Sequence, residues 1–106
     1  MKLFTKAILN ALPQLYANDG KDASEVKVPL KLFNPCGAQT WYITEYSPEK
    51  NLAYGLCDLG YGGEMDYVSI DELESLKLPF GLKIERDISW DMNTKLSEVE
   101  EKHPAY

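Results

Sequence analysis

The sequence predicts an α+β protein: an antiparallel meander sheet of four or five strands, with an N-terminal helix and short capped helices packed on one face. Three observations predict it. First, two runs rich in β-branched and aromatic residues, "TWYITEY" at 40–46 and "LAYGLCD" at 52–58, follow one another across the short loop "SPEKN". That spacing suits a hairpin. Second, Ser69 and Glu72 form a capping box, with Val68 and Leu73 as the hydrophobic staple across it, so a helix is predicted from about Ile70 to Leu76. Third, Phe4, Ile8, Leu12 and Leu15 trace one stripe at helical spacing.

The remaining elements follow in order. Thr5 can cap the first helix, with Phe4 and Leu9 as its staple. Pro13 opposes the carbonyl four residues back, so the helix is predicted over about Lys6–Leu12, followed by a kink or short turn through Tyr16. "ANDGKDAS" reads as a loop. In "EVKVPLKLF", Val26, Val28, Leu30 and Leu32 alternate with lysines, which predicts a half-buried strand, and Pro29 assigns it to an edge. On the "TWYITEY" strand, Trp41, Ile43 and Glu45 should share one face and Tyr42, Thr44 and Tyr46 the other. "LKIERDISW" predicts a last strand. Thr94 is the expected cap of a terminal helix that turns Leu96 and Val99 inward, and the tail after about residue 101 is expected to fray.

With 106 residues, 44% of them hydrophobic and 11% aromatic, the chain is expected to form one domain with a real core. The N-terminal stretch resembles a signal peptide, but Lys6 and Asn10 interrupt it and no small-residue cleavage site closes it. No apolar run approaches a membrane span, and a cytoplasmic location is expected. Cys36 and Cys57 lack zinc spacing and are expected to be reduced thiols. The lone histidine, His103, lies in the tail, so neither a Cys–His nor a Ser–His site is expected. No cofactor, metal site or catalytic residue is assigned.

The net charge is −6, which disfavours direct nucleic-acid binding and anionic membranes. That charge is unevenly distributed. Between Asn51 and Leu76 lie Asp58, Glu64, Asp66, Asp71, Glu72 and Glu74, with no basic residue; the rest of the chain carries eleven acids and eleven bases. Asp71 and Glu72 suit a helix's first turn. Otherwise the segment is either a solvated face that aids solubility or a docking face for a basic partner. Tyr54, Tyr61 and Tyr67 interleave with its acids, and tyrosines favour interfaces. The candidate binding face is therefore Tyr54, Asp58, Tyr61, Glu64, Asp66, Tyr67 and Glu74. The same segment holds four of the seven glycines in "GLCDLGYGG". With no lysine or arginine nearby and Asp58 and Glu64 flanking, this is read as a wide hairpin connection needing positive φ, rather than a phosphate cradle.

A second candidate is the polar cluster Glu45, Glu85, Arg86 and Asp87. Arg86 is the only arginine and should find an acidic partner, with Glu45 on the aromatic strand as one candidate. A structural ion pair fixing strand order is one reading. A cleft whose carboxylates act as acid and base, or hold a metal, is the other.

The strings "TWYITE", "YGLCDLGYGGEMDYVSIDEL" and "PFGLKIERDISW", with "LPQLYA" and "KLFNPCGAQTWY" before them, resemble the domain of unknown function 2958 family. The resemblance runs from about Leu12 to Trp90 and falls on Trp41, Tyr42, Glu45, Gly55, Gly60, Glu64, Ser69, Leu73, Glu85, Arg86 and Asp87. It implies an accessory protein of bacterial plasmids, phages and other mobile elements, including counter-defence roles, and carries no established activity. The expected function is a small, acidic, non-enzymatic protein-binding module whose partner presents a basic or polar surface. A nucleic-acid mimic is one form of it. The alternative is a carboxylate-based enzyme on the Glu45, Glu85, Arg86 and Asp87 cluster. Oligomeric state is left open.

Overall fold

The computed structural model describes residues 2–105. Its centre is a five-stranded antiparallel sheet in the order β4-β3-β2-β1-β5. The strands are β1 (Leu30–Phe33), β2 (Thr40–Ser47), β3 (Leu52–Asp58), β4 (Gly63–Ser69) and β5 (Glu85–Arg86); the helices are α1 (Lys6–Ala11), α2 (Ile70–Ser75) and α3 (Leu96–Lys102). The α+β class and the antiparallel meander are as the sequence predicts. The helices, however, divide between the two faces of the sheet.

One buried cluster joins Ile8 of α1 and Ile70 and Leu73 of α2 to Leu30, Leu32, Trp41, Ile43, Tyr46, Ala53 and Val68. The other joins Leu96 and Val99 of α3 to Val26, Val28, Tyr42 and Leu56. Successive strand residues point to opposite faces, so Trp41 and Tyr42 of β2 serve different clusters. Covering both faces explains why β2 is buried along nearly its whole length.

Thr5 caps α1, its hydroxyl accepting from the Ile8 N–H at 3.1 Å. The helix stops at Ala11, ahead of Pro13, and the Pro13 carbonyl instead accepts from Tyr46 N–H at 3.0 Å. Ser69 caps α2 from Glu72 N–H at 3.2 Å. Asn51 ties that helix to the β2–β3 hairpin: its carbonyl accepts from Ile70 N–H and its side-chain amide donates to Asp71.

Three local expectations are corrected. The run 25–33 does not keep one face inward. Val26 and Val28 belong to the α3 cluster, while Leu30 and Leu32 belong to the other. Pro29 interrupts the ladder because it has no N–H to give. Residues before it pair instead with 94–96, through Val28 N–H to Thr94 and Leu96 N–H to Val26, each at 2.8 Å.

On β2 the register shifts between Ile43 and Glu45. This bulge inserts Thr44 and reverses the faces beyond it. Tyr46 therefore joins Trp41 and Ile43, and Glu45 turns to the α3 side opposite Tyr54. Finally, α3 is capped at Lys95, whose N–H is accepted by Glu98 at 2.8 Å, while Thr94 donates to Asp91.

Candidate functional site

The glycine-rich connection between β3 and β4 turns with positive φ at Gly60 and Gly62, a backbone region that favours glycine. Asp58 opens this loop and accepts from Gly60 N–H at 2.8 Å. Its other oxygen meets His103 Nδ1 at 2.7 Å, and His103 Nε2 lies 2.7 Å from the Tyr42 hydroxyl. A carboxylate can only accept, so Nδ1 donates to Asp58, and Nε2 is left to exchange a hydrogen bond with the Tyr42 hydroxyl. The hydrogen bond from His103, with that from Gly60, holds the Asp58 carboxyl below its usual range. Burial pushes the Tyr42 hydroxyl above its usual range.

The tail is thereby tied down where fraying was expected. The Pro104 carbonyl also accepts from Gly63 N–H at 3.0 Å. A Cβ at Gly63 would stand 2.3 Å from the His103 carbonyl oxygen, so the close approach of the tail requires glycine there. His103 is the residue that sequence reasoning missed. Pro104 after it marks a helix end, but its partners lie 45 and 61 residues away, beyond any spacing rule.

The Tyr42–His103–Asp58 chain borders a cleft of about 440 Å³ between α3 and the sheet, lined also by Lys31, Trp90, Glu98 and Lys102. The Lys31 ammonium sits 5.7 Å from the Tyr42 ring centre and 5.5 Å from that of Trp90. It also pairs with Asp87 at 3.6 Å, a half-exposed contact worth little by itself.

Because Asp58 is ionised and hydrogen-bonded in the fold, its contribution to stability is complete above the ordinary aspartate pKa of about 3.9. It is lost as pH falls through the lower folded value. His103→Ala is expected to cost about 2 kcal/mol at neutral pH by urea denaturation. The gap between the parent protein and Asp58→Asn should narrow on acidification; a gap unchanged into acid would contradict this linkage.

The polar cluster anticipated from sequence is not assembled as one group. Both oxygens of Glu45 are engaged by the N-terminal loop, accepting from Tyr16 N–H at 2.8 Å and Asn18 N–H at 3.0 Å. Arg86 pairs in register with Leu32, a member of the α1/α2 cluster, so its side chain lies on the face opposite Glu45. It donates to the Lys2 carbonyl. Asp87 binds Ser89 and Lys31, and these hydrogen bonds hold its carboxyl below the usual range, the Ser89 side chain most. Glu85 lines a different depression with Leu3 and Glu74. Among the described residues, no three His, Cys, Asp or Glu side chains converge as metal ligands would.

The acidic, tyrosine-bearing segment is divided by strand alternation. Tyr54 and Tyr67 are cross-strand partners with ring centres 4.9 Å apart, and Tyr16 approaches Tyr67 at 6.5 Å. Hydrogen bonding with the Tyr16 side chain pushes the Tyr67 hydroxyl up to about 12. Glu64 and Asp66 alternate with these on the other face, flanking a depression with Cys57 and Tyr61. Burial, with the nearby Asp66 and Glu64 charges, pushes the Cys57 thiol up to about 12, which makes it a poor nucleophile. Both cysteines are free thiols. Tyr61 projects from the loop, 74% exposed, and Glu74 sits apart on α2.

No helix among the described residues is long and apolar enough to cross a membrane. No curated protein and no solved structure matches the chain. A family described as protein of unknown function (DUF2958) matches residues 3–103. With nearly the whole chain covered, from the first turn before α1 to the histidine that closes α3, the protein belongs to that family.

Proposed function

We propose that this chain is a non-enzymatic protein-binding module that receives a basic partner surface on the β4 side of its sheet. One observation carries the reading. The segment holding all of the excess negative charge, residues 51–76, is the segment that builds β3, the glycine loop, the outermost strand β4 and helix α2. Its Glu64, Asp66 and Tyr67 are at the open margin of the sheet, and a one-signed margin of this kind steers and orients a basic protein. The mobile-element setting implied by the family resemblance supplies the class of partner: a host enzyme, such as a defence enzyme, with a basic groove. The carboxylate-enzyme alternative draws less support, because Glu45 and Arg86 lie on opposite faces. Tyr42, raised by burial, stays protonated, so its chain to His103 and Asp58 acts as a clamp on α3.

The test is an amide chemical-shift titration of the labelled protein with decalysine as the basic probe. Shifts should concentrate in residues 58–75, reverse on adding salt, and vanish in the triple variant Glu64→Gln, Asp66→Asn, Glu74→Gln. Shifts spread evenly over the surface, or unaffected by the triple variant, would refute the reading.

A further inference from the structure

We propose that the partner engages this surface as an added β-strand: an extended segment of alternating basic and apolar residues pairs with β4, placing its lysines or arginines beside Glu64 and Asp66. The inference rests on the basic-partner reading above and specifies how that partner binds.

The backbone is suited to it. β4 ends the sheet, pairing only with β3 among the described residues. The outward direction of its backbone is marked by Gly63, whose N–H is bonded to the Pro104 carbonyl at 3.0 Å. Since successive strand residues alternate, the N–H groups of Met65 and Tyr67 point the same way as that of Gly63. The Pro104 carbonyl thus already makes the first bond of an added strand. Further along, the Tyr67 N–H is occupied by the Asp66 carboxylate at 2.7 Å. A carboxylate closing an outward N–H guards an edge against indiscriminate pairing. An incoming carbonyl that takes this N–H releases Asp66 to pair with a cation, so the guard yields preferentially to a basic strand.

The side chains set the sequence pattern. Glu64 and Asp66 lie on one face of β4 and Met65 and Tyr67 on the other. A complementary strand therefore alternates, with a cation on the acidic face and an apolar residue beside the half-exposed Tyr67. The same charges disfavour a second copy of this chain as occupant. Edge-to-edge pairing of two β4 strands would bring Glu64 and Asp66 against their own equivalents, and like charges opposed across strands destabilise the pairing.

The experiment compares two heptapeptides of alternating lysine and valine, one with an ordinary backbone and one N-methylated at every residue, which blocks both of its edges. N-methylation removes strand pairing and keeps every charge. The ordinary peptide is expected to shift and protect from exchange the Met65 and Tyr67 amides, and to bind at least about tenfold more tightly than its methylated twin. Equal binding by the two peptides, localised to the acidic segment and salt-sensitive, would overturn strand addition and leave the basic-partner reading standing. Failure of both peptides, together with failure of decalysine, would overturn both. Glu64→Gln with Asp66→Asn should weaken the ordinary peptide; undiminished binding by that variant would overturn the assigned register of charge.

Discussion

Gly55→Ala is expected to destabilise the protein by at least about 3 kcal/mol, a large share of the stability of a chain of this size. Two effects compete. In a strand interior, alanine ordinarily improves on glycine by about 0.5–1 kcal/mol, because less backbone entropy is lost. Here the added Cβ would stand 2.0 Å from the Tyr42 carbonyl oxygen, 2.8 Å from its carbon and 2.9 Å from the Ile43 Cα. All three obstacles are backbone, in the fully packed centre of the sheet, so no side-chain rotation relieves the overlap. The strand pair β2–β3 must separate or slip, and Ile43, opposite Gly55 and fully buried, moves with it. Steric overlap wins over propensity. Urea denaturation and near-ultraviolet circular dichroism would read the loss; an alanine variant as stable as the parent would rule out this approach of β2 to β3.

Glu45→Ala is expected to cost about 3 kcal/mol, and Glu45→Gln roughly half of that. The Glu45 side chain is 3% exposed, and its two oxygens are the acceptors for the N–H groups of Tyr16 and Asn18. Alanine strands both donors in a partly buried site, each at about 1–3 kcal/mol before the loop relaxes. Tyr16 also holds φ at 71°, a conformation that a bulky residue adopts only when its surroundings compel it. Glutamine keeps one acceptor oxygen but also brings an amide that cannot accept, so one N–H is lost. Amide exchange should quicken first over residues 14–19 in both variants. A Glu45→Gln protein with unchanged stability and unchanged exchange there would exclude the structural role and return Glu45 to the list of chemically active groups.

The sequence made the local architecture legible where one short signal decides the outcome. The capping box placed the start of α2, Pro13 the end of α1, and the glycines the turn between β3 and β4. Each depends on contacts within a few residues. It was less informative where parity matters. A period-two pattern names the two faces of a strand only until something interrupts the period, and Pro29 and the Thr44 bulge both do so. The reading of Glu45 failed at that point: one inserted residue carried it to the face away from Arg86. The candidate binding segment fared similarly. Its charge was visible by counting, but its division into a tyrosine face, an acidic face and a separate Asp58 depended on which neighbours alternate across β4.

By itself, the sequence determined the α+β class, the antiparallel meander, the family and the confinement of excess charge to residues 51–76. Composition, periodicity and short-range capping are properties of the chain that survive any choice of packing. Only the tertiary structure decided that α3 covers the second face, that His103 bridges Asp58 and Tyr42, that Glu45 supports a loop, and that the acidic segment forms the sheet's outermost strand. Those outcomes join groups separated by tens of residues. Hydrogen-bond satisfaction and burial select them only once the whole sheet has closed, so no local pattern encodes them.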